Sequence, residues 1–224
     1  LGSLLGKFGT ARVSMPGGCN FGLRPIDQHL KGFRALGAEV TETEEYVELE
    51  PDMNGLYGTR ISLDMASVGA TVNIMIAATL LPGQTIIENA AKEPHIVDLA
   101  NFLNAMGANI RGAGTDVIKV RGVSRLRGGN YSIIPDPIEA GTYMIAAAAT
   151  HGDVVINGCI PTHMDALSAK LLEMGVRVTD SDDAIRVRSN GNHRAVNIKT
   201  QVYPGFPTDM QPQFGALCCV AQGM

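Results

Sequence analysis

The chain has 224 residues, of which 45% are hydrophobic and 26 are glycine, and its formal net charge is −4. This length and composition are typical of a globular α/β protein that forms one large domain or parts of two. Because Lys and Arg form no basic block, the sequence argues against nucleic-acid binding. Its apolar runs are well short of the roughly 20 residues that a membrane helix needs, so we expect neither a nucleic-acid partner nor a membrane span.

One pattern occurs three times along the chain: a glycine, a β-rich run, an amphipathic helix and a second glycine. The copies occupy 9–37, 83–107 and 152–175, and they recur about every 70 residues, as a repeated supersecondary unit would. The first copy is longer by four or five residues, and its surplus is the segment 16–25, PGGCNFGLRP. Insertions confined to one repeat map to loops, which commonly carry function, so this loop is our first candidate site.

The inserted loop offers a thiol and a guanidinium. Its Pro-Gly-Gly run predicts a flexible turn that exposes Cys19, whose thiol can act as a general acid or, once deprotonated, as a nucleophile. Arg24 precedes a helix that Pro25 could open at its first turn, and a guanidinium beside a helix N-terminus binds anions. The alternative is a structural cysteine in a tight turn and an arginine on a solvated surface.

The second copy predicts the order helix, strand, helix, strand, strand. Its first helix is apolar on nearly every side, which indicates burial all round, and its second helix is amphipathic and ends near Gly107. The predicted elements are a helix at 68–81, a strand at 84–88, a helix at 95–106, and strands at 109–111 and 117–120.

The residues that begin the buried helix of the second copy are another candidate site. Ser67, Val68 and Gly69 could present backbone N–H groups to a phosphate at the helix N-terminus. The alternative is a serine that caps the helix and a glycine that permits close packing. The local sequence leaves both interpretations open.

The third copy repeats the same order, and a further copy begins at 195 and breaks off. Because each complete copy holds one wholly apolar helix, we expect these helices to gather in an interior that the sheets wrap. The predicted fold class is α/β, built from repeated helix-strand-helix-strand-strand units. The predicted elements of the third copy are a helix at 140–150, a strand at 153–157, a helical face of Met164, Leu167, Leu171 and Met174, and strands at 177–179 and 185–188.

The segment 125–137 contains two glycines and two prolines and is the predicted crossover between domains, which assigns 1–134 to a first domain and 135–224 to a second. Asp136 lies in it between the prolines, where it could simply fix a turn. Asp209 stands in the motif Phe-Pro-Thr-Asp-Met ahead of an apolar run. It is either a helix cap or first-turn acid, or a catalytic carboxylate.

The cysteines and histidines show no metal-ligand spacing. Cys218 and Cys219 are adjacent and would form a poor disulfide, which indicates a reducing, cytoplasmic compartment. The five histidines include no pair at i, i+3 or i+4, so we expect no metal site. The chain opens at Leu1 inside an apolar helical run and ends at Met224, where the other copies begin a strand, and we interpret it as an internal fragment.

Five motifs, in collinear order from end to end, carry a resemblance to a known family. They are SMPGGC at 14–19, GLRPID at 22–27, SVGAT at 67–71, IENAA at 87–91 and FPTDMQ at 206–211. They resemble the UDP-N-acetylglucosamine 1-carboxyvinyltransferases, the enolpyruvyl transferases that open peptidoglycan synthesis. The resemblance implies two inside-out α/β barrel-like domains, each of three such units. The related enolpyruvylshikimate phosphate synthases share the repeat without the Pro-Gly-Gly-Cys loop.

The resemblance also implies a reaction: transfer of the enolpyruvyl group of phosphoenolpyruvate to the 3-hydroxyl of UDP-N-acetylglucosamine, with release of phosphate. It implies that Cys19 donates a proton, forms an adduct with phosphoenolpyruvate and is alkylated by fosfomycin, and that Asp209 takes the proton of the sugar hydroxyl. No metal or organic cofactor is needed. The implied substrate-binding residues are Arg24, Pro25, Ile26, Asp27, Gln28, Ser67, Val68, Gly69 and Asp136.

The chain departs from the family pattern at two positions. Met65 stands where many members have a lysine that contacts the diphosphate, and Pro137 stands where many have an arginine. A Lys-Asn pair near the amino end of the family and an arginine near its carboxyl end fall outside these residues, so we expect the fragment to be inactive. The alternative function is a non-catalytic UDP-sugar-binding paralogue with a regulatory or scaffolding role. The oligomeric state stays open.

Overall fold

The structure is a computed structural model that describes residues 1–15 and 25–223. The chain forms two compact units, Leu1–Ser132 and Ile133–Met224. The division falls inside the segment 125–137, in which the described backbone forms no helix or strand until α5 begins at Pro137. Tyr131 fastens the end of the first unit, because its hydroxyl donates to the Asp98 carboxylate at 2.7 Å and its ring lies 5.3 Å from that of Phe102.

The first unit contains four helices and seven strands within its described residues. They are α1 Gly2–Phe8, β1 Ala11–Ser14, α2 Asp27–Ala35, β2 Ala38–Glu42, β3 Tyr46–Pro51, β4 Arg60–Ser62, α3 Val68–Ala78, β5 Gln84–Glu88, α4 Pro94–Ala105, β6 Asn109–Arg111 and β7 Val117–Arg121. One sheet has the order β1-β3-β2 and a second has the order β4-β5-β7-β6. All neighbours are antiparallel except β4 and β5, which are parallel across α3.

The second unit repeats this organisation once. Its elements are α5 Pro137–Ala149, β8 Asp153–Asn157, a 3₁₀ turn at Pro161–Met164, α6 Asp165–Glu173, β9 Arg177–Asp180, β10 Ala184–Arg188, a 3₁₀ turn at Thr208–Met210 and α7 Gln211–Cys218. The antiparallel sheet has the order β8-β10-β9. In each of the three copies the strand before the amphipathic helix pairs with the last strand of the hairpin, so the predicted repeat is confirmed.

The three glycines that follow the amphipathic helices share a left-handed backbone. Gly37, Gly107 and Gly175 have φ of 89°, 101° and 94°, a region that a residue with a Cβ seldom adopts. Each stops its helix and turns the chain into the next strand. The backbone geometry explains why the pattern marks these positions with glycine.

The apolar helix α3 is buried as predicted, since none of its residues is exposed. Helices α1 and α2 pack on it at glycines: a Cβ on Gly32 would lie 2.2 Å from Ile74 Cδ1 and one on Gly6 would lie 3.1 Å from the Ala77 carbonyl oxygen. Helix α5 packs on α7 and on the sheet below it, yet Tyr143 remains 57% exposed. None of the described helices has both the length and the apolar character needed to cross a bilayer.

Candidate functional site

The described part of the inserted loop begins at its last residue, Pro25. Cys19 and Arg24 lie outside the described residues, so the roles predicted for them stay predictions. Pro25 is exposed and Ile26 is half-buried, and α2 begins at Asp27. The prediction that Pro25 occupies the first turn of the helix is therefore wrong by two residues, because Ile26 is the N-cap.

Gln28 ties the start of α2 to the end of β4. Its side chain is only 6% exposed. Nε2 donates to Asp27 Oδ2 at 2.8 Å and to Asp64 Oδ2 at 3.0 Å, while Oε1 accepts the backbone N–H of Asp64 at 2.9 Å. The orientation of this amide is fixed by chemistry, because a backbone N–H can only donate and ionised carboxylates can only accept.

Asp64 uses both of its carboxylate oxygens. Oδ2 accepts from Gln28, and Oδ1 accepts from Lys31 Nζ at 2.5 Å. The hydrogen bond from Lys31, followed by the one from Gln28, holds the pKa of the Asp64 carboxyl below its ordinary value. Asp64 is therefore ionised at neutral pH and neutralised by Lys31, although it lies at the surface.

At the N-terminus of α3, Ser67 caps the helix, as one of the two interpretations of this segment predicted. Ser67 Oγ accepts the backbone N–H of Ala70 at 3.3 Å, which satisfies one of the free N–H groups of the first turn. A Cβ on Gly69 would lie 2.8 Å from His29 Nε2, so glycine permits the His29 ring of α2 to touch the first turn of α3. The residues predicted to bind the diphosphate therefore also have structural roles.

His29 is neutral where it meets α3. Burial is the main cause that lowers the pKa of its imidazole below the ordinary value, and Asp27 opposes the shift. Its Nδ1 is buried and has no hydrogen-bond partner among the described residues. Because a neutral ring needs no counter-ion, His29 can pack against the backbone of Gly69.

The first unit thus brings together two of the sequence-predicted segments, 25–28 and 67–69, at the adjoining N-termini of α2 and α3. Sequence reasoning did not identify Asp64, Lys31 or His29 as parts of this group. The sequence signal for Asp64 was its place three residues before the predicted helix cap Ser67, in a loop of the kind that often holds ligand-binding groups. The contact between Gln28 and Asp64 spans 36 residues of sequence and follows no local period.

The second unit places Asp136 and Asp209 toward the start of α5. Asp136 is the N-cap, and its Oδ1 accepts the Ile138 N–H at 2.8 Å. Asp209 lies in the 3₁₀ turn before α7, is exposed, and receives no hydrogen bond from another described residue. The adjacent Met210 is buried, and its Cε would lie 2.8 Å from a Cβ on Gly141, so this turn rests against the second turn of α5.

The second unit also contains a cavity of about 470 Å³. It opens between α7 and the segment 196–200, and Lys199, Phe214 and Cys218 are among its lining side chains. None of the predicted site residues that the structure describes lines it. Within the described ranges, no group of three His, Cys, Asp or Glu side chains is arranged to hold a metal ion.

The chain matches a known protein family and named relatives along its whole length. Residues 1–224 match the family model described as EPSP synthase (3-phosphoshikimate 1-carboxyvinyltransferase). The chain is 59% identical over its whole length to UDP-N-acetylglucosamine 1-carboxyvinyltransferase 3 of Caldanaerobacter subterraneus, and 58% identical to UDP-N-acetylglucosamine 1-carboxyvinyltransferase of Clostridium botulinum. It spans 53% of each of these relatives, or about half their length.

Solved structures show the same fold at low identity. The enolpyruvyl transferase NikO of Streptomyces tendae superimposes with a TM-score of 0.82 at 23% identity, over 99% of this chain and 53% of that one. The EPSP synthase of Acinetobacter baumannii gives a TM-score of 0.60 at 22% identity, over 92% of this chain and 47% of its own. The chain belongs to the EPSP synthase (3-phosphoshikimate 1-carboxyvinyltransferase) family, the family of the enolpyruvyl transferases.

Proposed function

We propose that the protein containing this chain is a UDP-N-acetylglucosamine 1-carboxyvinyltransferase. It transfers the enolpyruvyl group of phosphoenolpyruvate to the 3-hydroxyl of the sugar nucleotide and releases phosphate, the first committed step of peptidoglycan synthesis in the cytoplasm. One observation carries the proposal: eight curated relatives of that name are 52–59% identical to the chain across its length. The reaction needs no metal and no organic cofactor.

The catalytic roles fall on Cys19 and Asp209. The sugar oxygen adds to C2 of phosphoenolpyruvate as a proton adds to C3, and phosphate leaves as a proton is lost from the methyl group so formed. Cys19 is the proton donor to carbon, and Asp209 accepts the proton of the hydroxyl. Because Asp209 is exposed, a substrate hydroxyl can reach its carboxylate.

The substrate-binding roles fall on Arg24, on 25–28 and on 67–69, with Asp136 from the second unit. The cap bond of Ser67 uses an acceptor lone pair of its hydroxyl, so the O–H still donates to a phosphate oxygen. The backbone N–H groups of Val68 and Gly69 precede the first intrahelical bond of α3, which is donated by Thr71 to the Ser67 carbonyl. Free N–H groups at a helix N-terminus suit a diphosphate, and Arg24 adds positive charge.

The two units are proposed to be parts of two domains of the whole protein, 1–134 and 135–224. The 224-residue piece is expected to be inactive by itself. Its proposed partners are the small molecules phosphoenolpyruvate and UDP-N-acetylglucosamine. The proposal makes no statement about oligomeric state.

A non-catalytic UDP-sugar-binding paralogue is the second candidate. Met65 supports it, because this side chain is 63% exposed two residues before Ser67 and supplies no positive charge where many members have a lysine. Such a protein would bind the sugar nucleotide without turning it over. Retention of Cys19 and Asp209 together favours the enzyme.

The test uses the full-length protein and measures phosphate released from phosphoenolpyruvate. We expect release that depends on UDP-N-acetylglucosamine, does not occur with shikimate 3-phosphate, and is lost in Asp209→Asn. Activity with shikimate 3-phosphate in place of the sugar nucleotide would refute the proposal. Tight binding of UDP-N-acetylglucosamine without any turnover would favour the paralogue.

A further inference from the structure

We infer that Asp64 is a positioning residue that fixes the distance between the two N-termini that would hold the sugar nucleotide. The inference rests on the proposed function, because it assigns a role to Asp64 and Lys31 in the binding of the nucleotide half of the substrate. No substrate contact is required of either side chain. Both act through Gln28.

The first step is the geometry of the connection between α2 and the β4–α3 loop. Gln28 and Asp64 form a reciprocal pair, in which Oε1 of Gln28 accepts the Asp64 N–H and Nε2 donates to the Asp64 carboxylate. Two hydrogen bonds between the same residues fix orientation as well as distance. Lys31, one turn along α2 from Gln28, closes the arrangement by holding the other Asp64 oxygen.

The second step is burial. Gln28 is 6% exposed, and a buried amide that loses its partners costs about 1–3 kcal/mol. Asp64 itself is exposed, so its replacement by alanine removes the carboxylate bonds to Gln28 and Lys31 without opening a cavity in the core, while the bond from its backbone N–H to Gln28 remains.

The third step connects this pair to the ligand groups. Leu30 donates the first intrahelical bond of α2, to the Ile26 carbonyl, so the N–H groups of Asp27 and Gln28 have no partner within the helix. Asp64 lies three residues before Ser67, whose turn presents the free N–H groups of α3. Holding Gln28 against Asp64 therefore holds one set of donors at a set spacing from the other. A ligand that spans both, as a nucleoside diphosphate would, is sensitive to that spacing.

A second contact supports the same spacing. The ring of His29 touches Gly69, where a Cβ would lie 2.8 Å from Nε2. The two helix ends are thus joined by hydrogen bonds at Gln28 and by packing at His29. Asp64 is the member of this group that can be changed without altering either helix.

The experiment compares Asp64→Ala, Asp64→Asn and the control Glu88→Gln in the full-length protein. The control removes the ion pair of Glu88 in β5 with Arg60 in β4 and leaves the side chains of Gln28, Asp64 and Lys31 in place. We expect Asp64→Ala to raise KM for UDP-N-acetylglucosamine about tenfold while kcat and KM for phosphoenolpyruvate change less than about twofold. Asp64→Asn retains an oxygen for the Gln28 amide and should recover most of the loss.

A double-mutant cycle with Gln28→Met tests whether the two residues act as one unit. We expect the double variant to have a KM for the sugar nucleotide no worse than the poorer single variant, because Gln28→Met already removes the hydrogen bond between the two side chains that Asp64→Ala deletes. UDP binding measured by calorimetry should show the same order.

Three results would separate the possible failures. An unchanged KM for the sugar nucleotide in Asp64→Ala, with an active wild type, overturns this inference alone. A parallel loss of kcat, of affinity for both substrates and of thermal stability assigns Asp64 a general structural role and also overturns it. A wild type that neither turns over UDP-N-acetylglucosamine nor binds UDP contradicts the proposed function, and the inference with it.

Discussion

Helices α3 and α5 occupy equivalent positions in successive repeats, yet only one of them is covered on every side. Aligned from their N-caps, Ser67 and Asp136, Ile74 of α3 corresponds to Tyr143 of α5, and Ala77 corresponds to Ala146. Ile74 and Ala77 are fully buried, whereas Tyr143 and Ala146 are exposed. The same face of the repeat is therefore interior in one unit and surface in the other.

The cause is visible in what packs on each helix. In the first unit, α2 presents Gly32 to Ile74 and α1 presents Gly6 to Ala77. In the described second unit, α7 packs on α5 on another side, where Gln213 donates to Thr142. A repeat cannot bury its apolar helix by itself, and the number of neighbouring helices decides how much of that face is covered.

The largest effect on stability is expected when a buried side chain of α3 is truncated where α2 packs on it. Ile74→Ala should lower the free energy of unfolding by about 2–5 kcal/mol, because a fully buried isoleucine loses its contacts with α2 and leaves a void. Tyr143→Ala, at the equivalent position of α5, should cost less than about 0.5 kcal/mol, as is usual for surface substitutions. Urea denaturation of the two variants of the 224-residue chain measures the difference. Equal costs would mean that the two faces are covered alike.

A smaller effect is expected at two helical glycines. Gly69→Ala places a Cβ 2.8 Å from Nε2 at the tip of the His29 ring, so the ring must shift and the substitution should stabilise α3 less than a helical Gly→Ala change usually does. Gly215→Ala in α7 meets no atom within 4 Å, so it should stabilise the helix by up to about 1 kcal/mol. Thermal unfolding of both variants gives the difference. Equal stabilisation by the two substitutions would contradict the close contact between α2 and α3.

The smallest effect is expected from surface carboxylates, one in each unit. The pKa of Asp64 is lowered chiefly by Lys31, and that of Asp153 is lowered chiefly by Arg186. A carboxyl whose pKa is lower in the folded state stabilises the protein above its unfolded pKa of about 3.9, and the contribution disappears as the pH falls through the folded pKa. Asp64→Asn and Asp153→Asn should therefore shift the urea midpoint slightly downward at neutral pH.

The same two variants should match the wild type in strongly acidic solution, because Asp64 and Asp153 are then protonated in the folded and the unfolded states. NMR titration of the two carboxyl groups provides an independent measurement. If the urea midpoint shifted more in acid than at neutral pH, the pH dependence would be opposite to the one that these ion pairs predict.

The local sequence predicted those parts of the fold that show a regular hydrophobic spacing or are bounded by glycine or proline. Strands at 84–88, 109–111 and 153–157 have the predicted bounds, because alternation and flanking glycines define them locally. Helix α3 ends at Ala78, three residues before the predicted end, as the chain tightens into a turn ahead of Pro82. Strand β4 was not predicted, because its three residues depend on parallel pairing with β5 across α3.

For the candidate site, the sequence predicted which segments take part but not which side chains contact one another. Motifs identified 25–28 and 67–69, but the connection through Gln28 and Asp64 joins residues far apart in sequence, and no pattern of spacing announces it. Ser67 and Asp136 illustrate a different limit, since each was assigned either a binding role or a local structural one, a cap for Ser67 and a turn for Asp136, and the structure shows both as helix caps. A capping bond leaves other hydrogen-bonding capacity free, so the two roles are compatible.

The most direct test of the proposed function is the site at which fosfomycin modifies the full-length protein, located by peptide mapping. The chain contains its own controls, because Cys218 and Cys219 are exposed and Cys159 is buried. Burial is the first cause that raises the pKa of Cys159 and of Cys218, so both thiols have little nucleophilic thiolate at neutral pH. We predict one adduct, on Cys19, formed faster with UDP-N-acetylglucosamine present and absent in Cys19→Ser; an unmodified Cys19, or equal labelling of Cys218 or Cys219, would contradict the account.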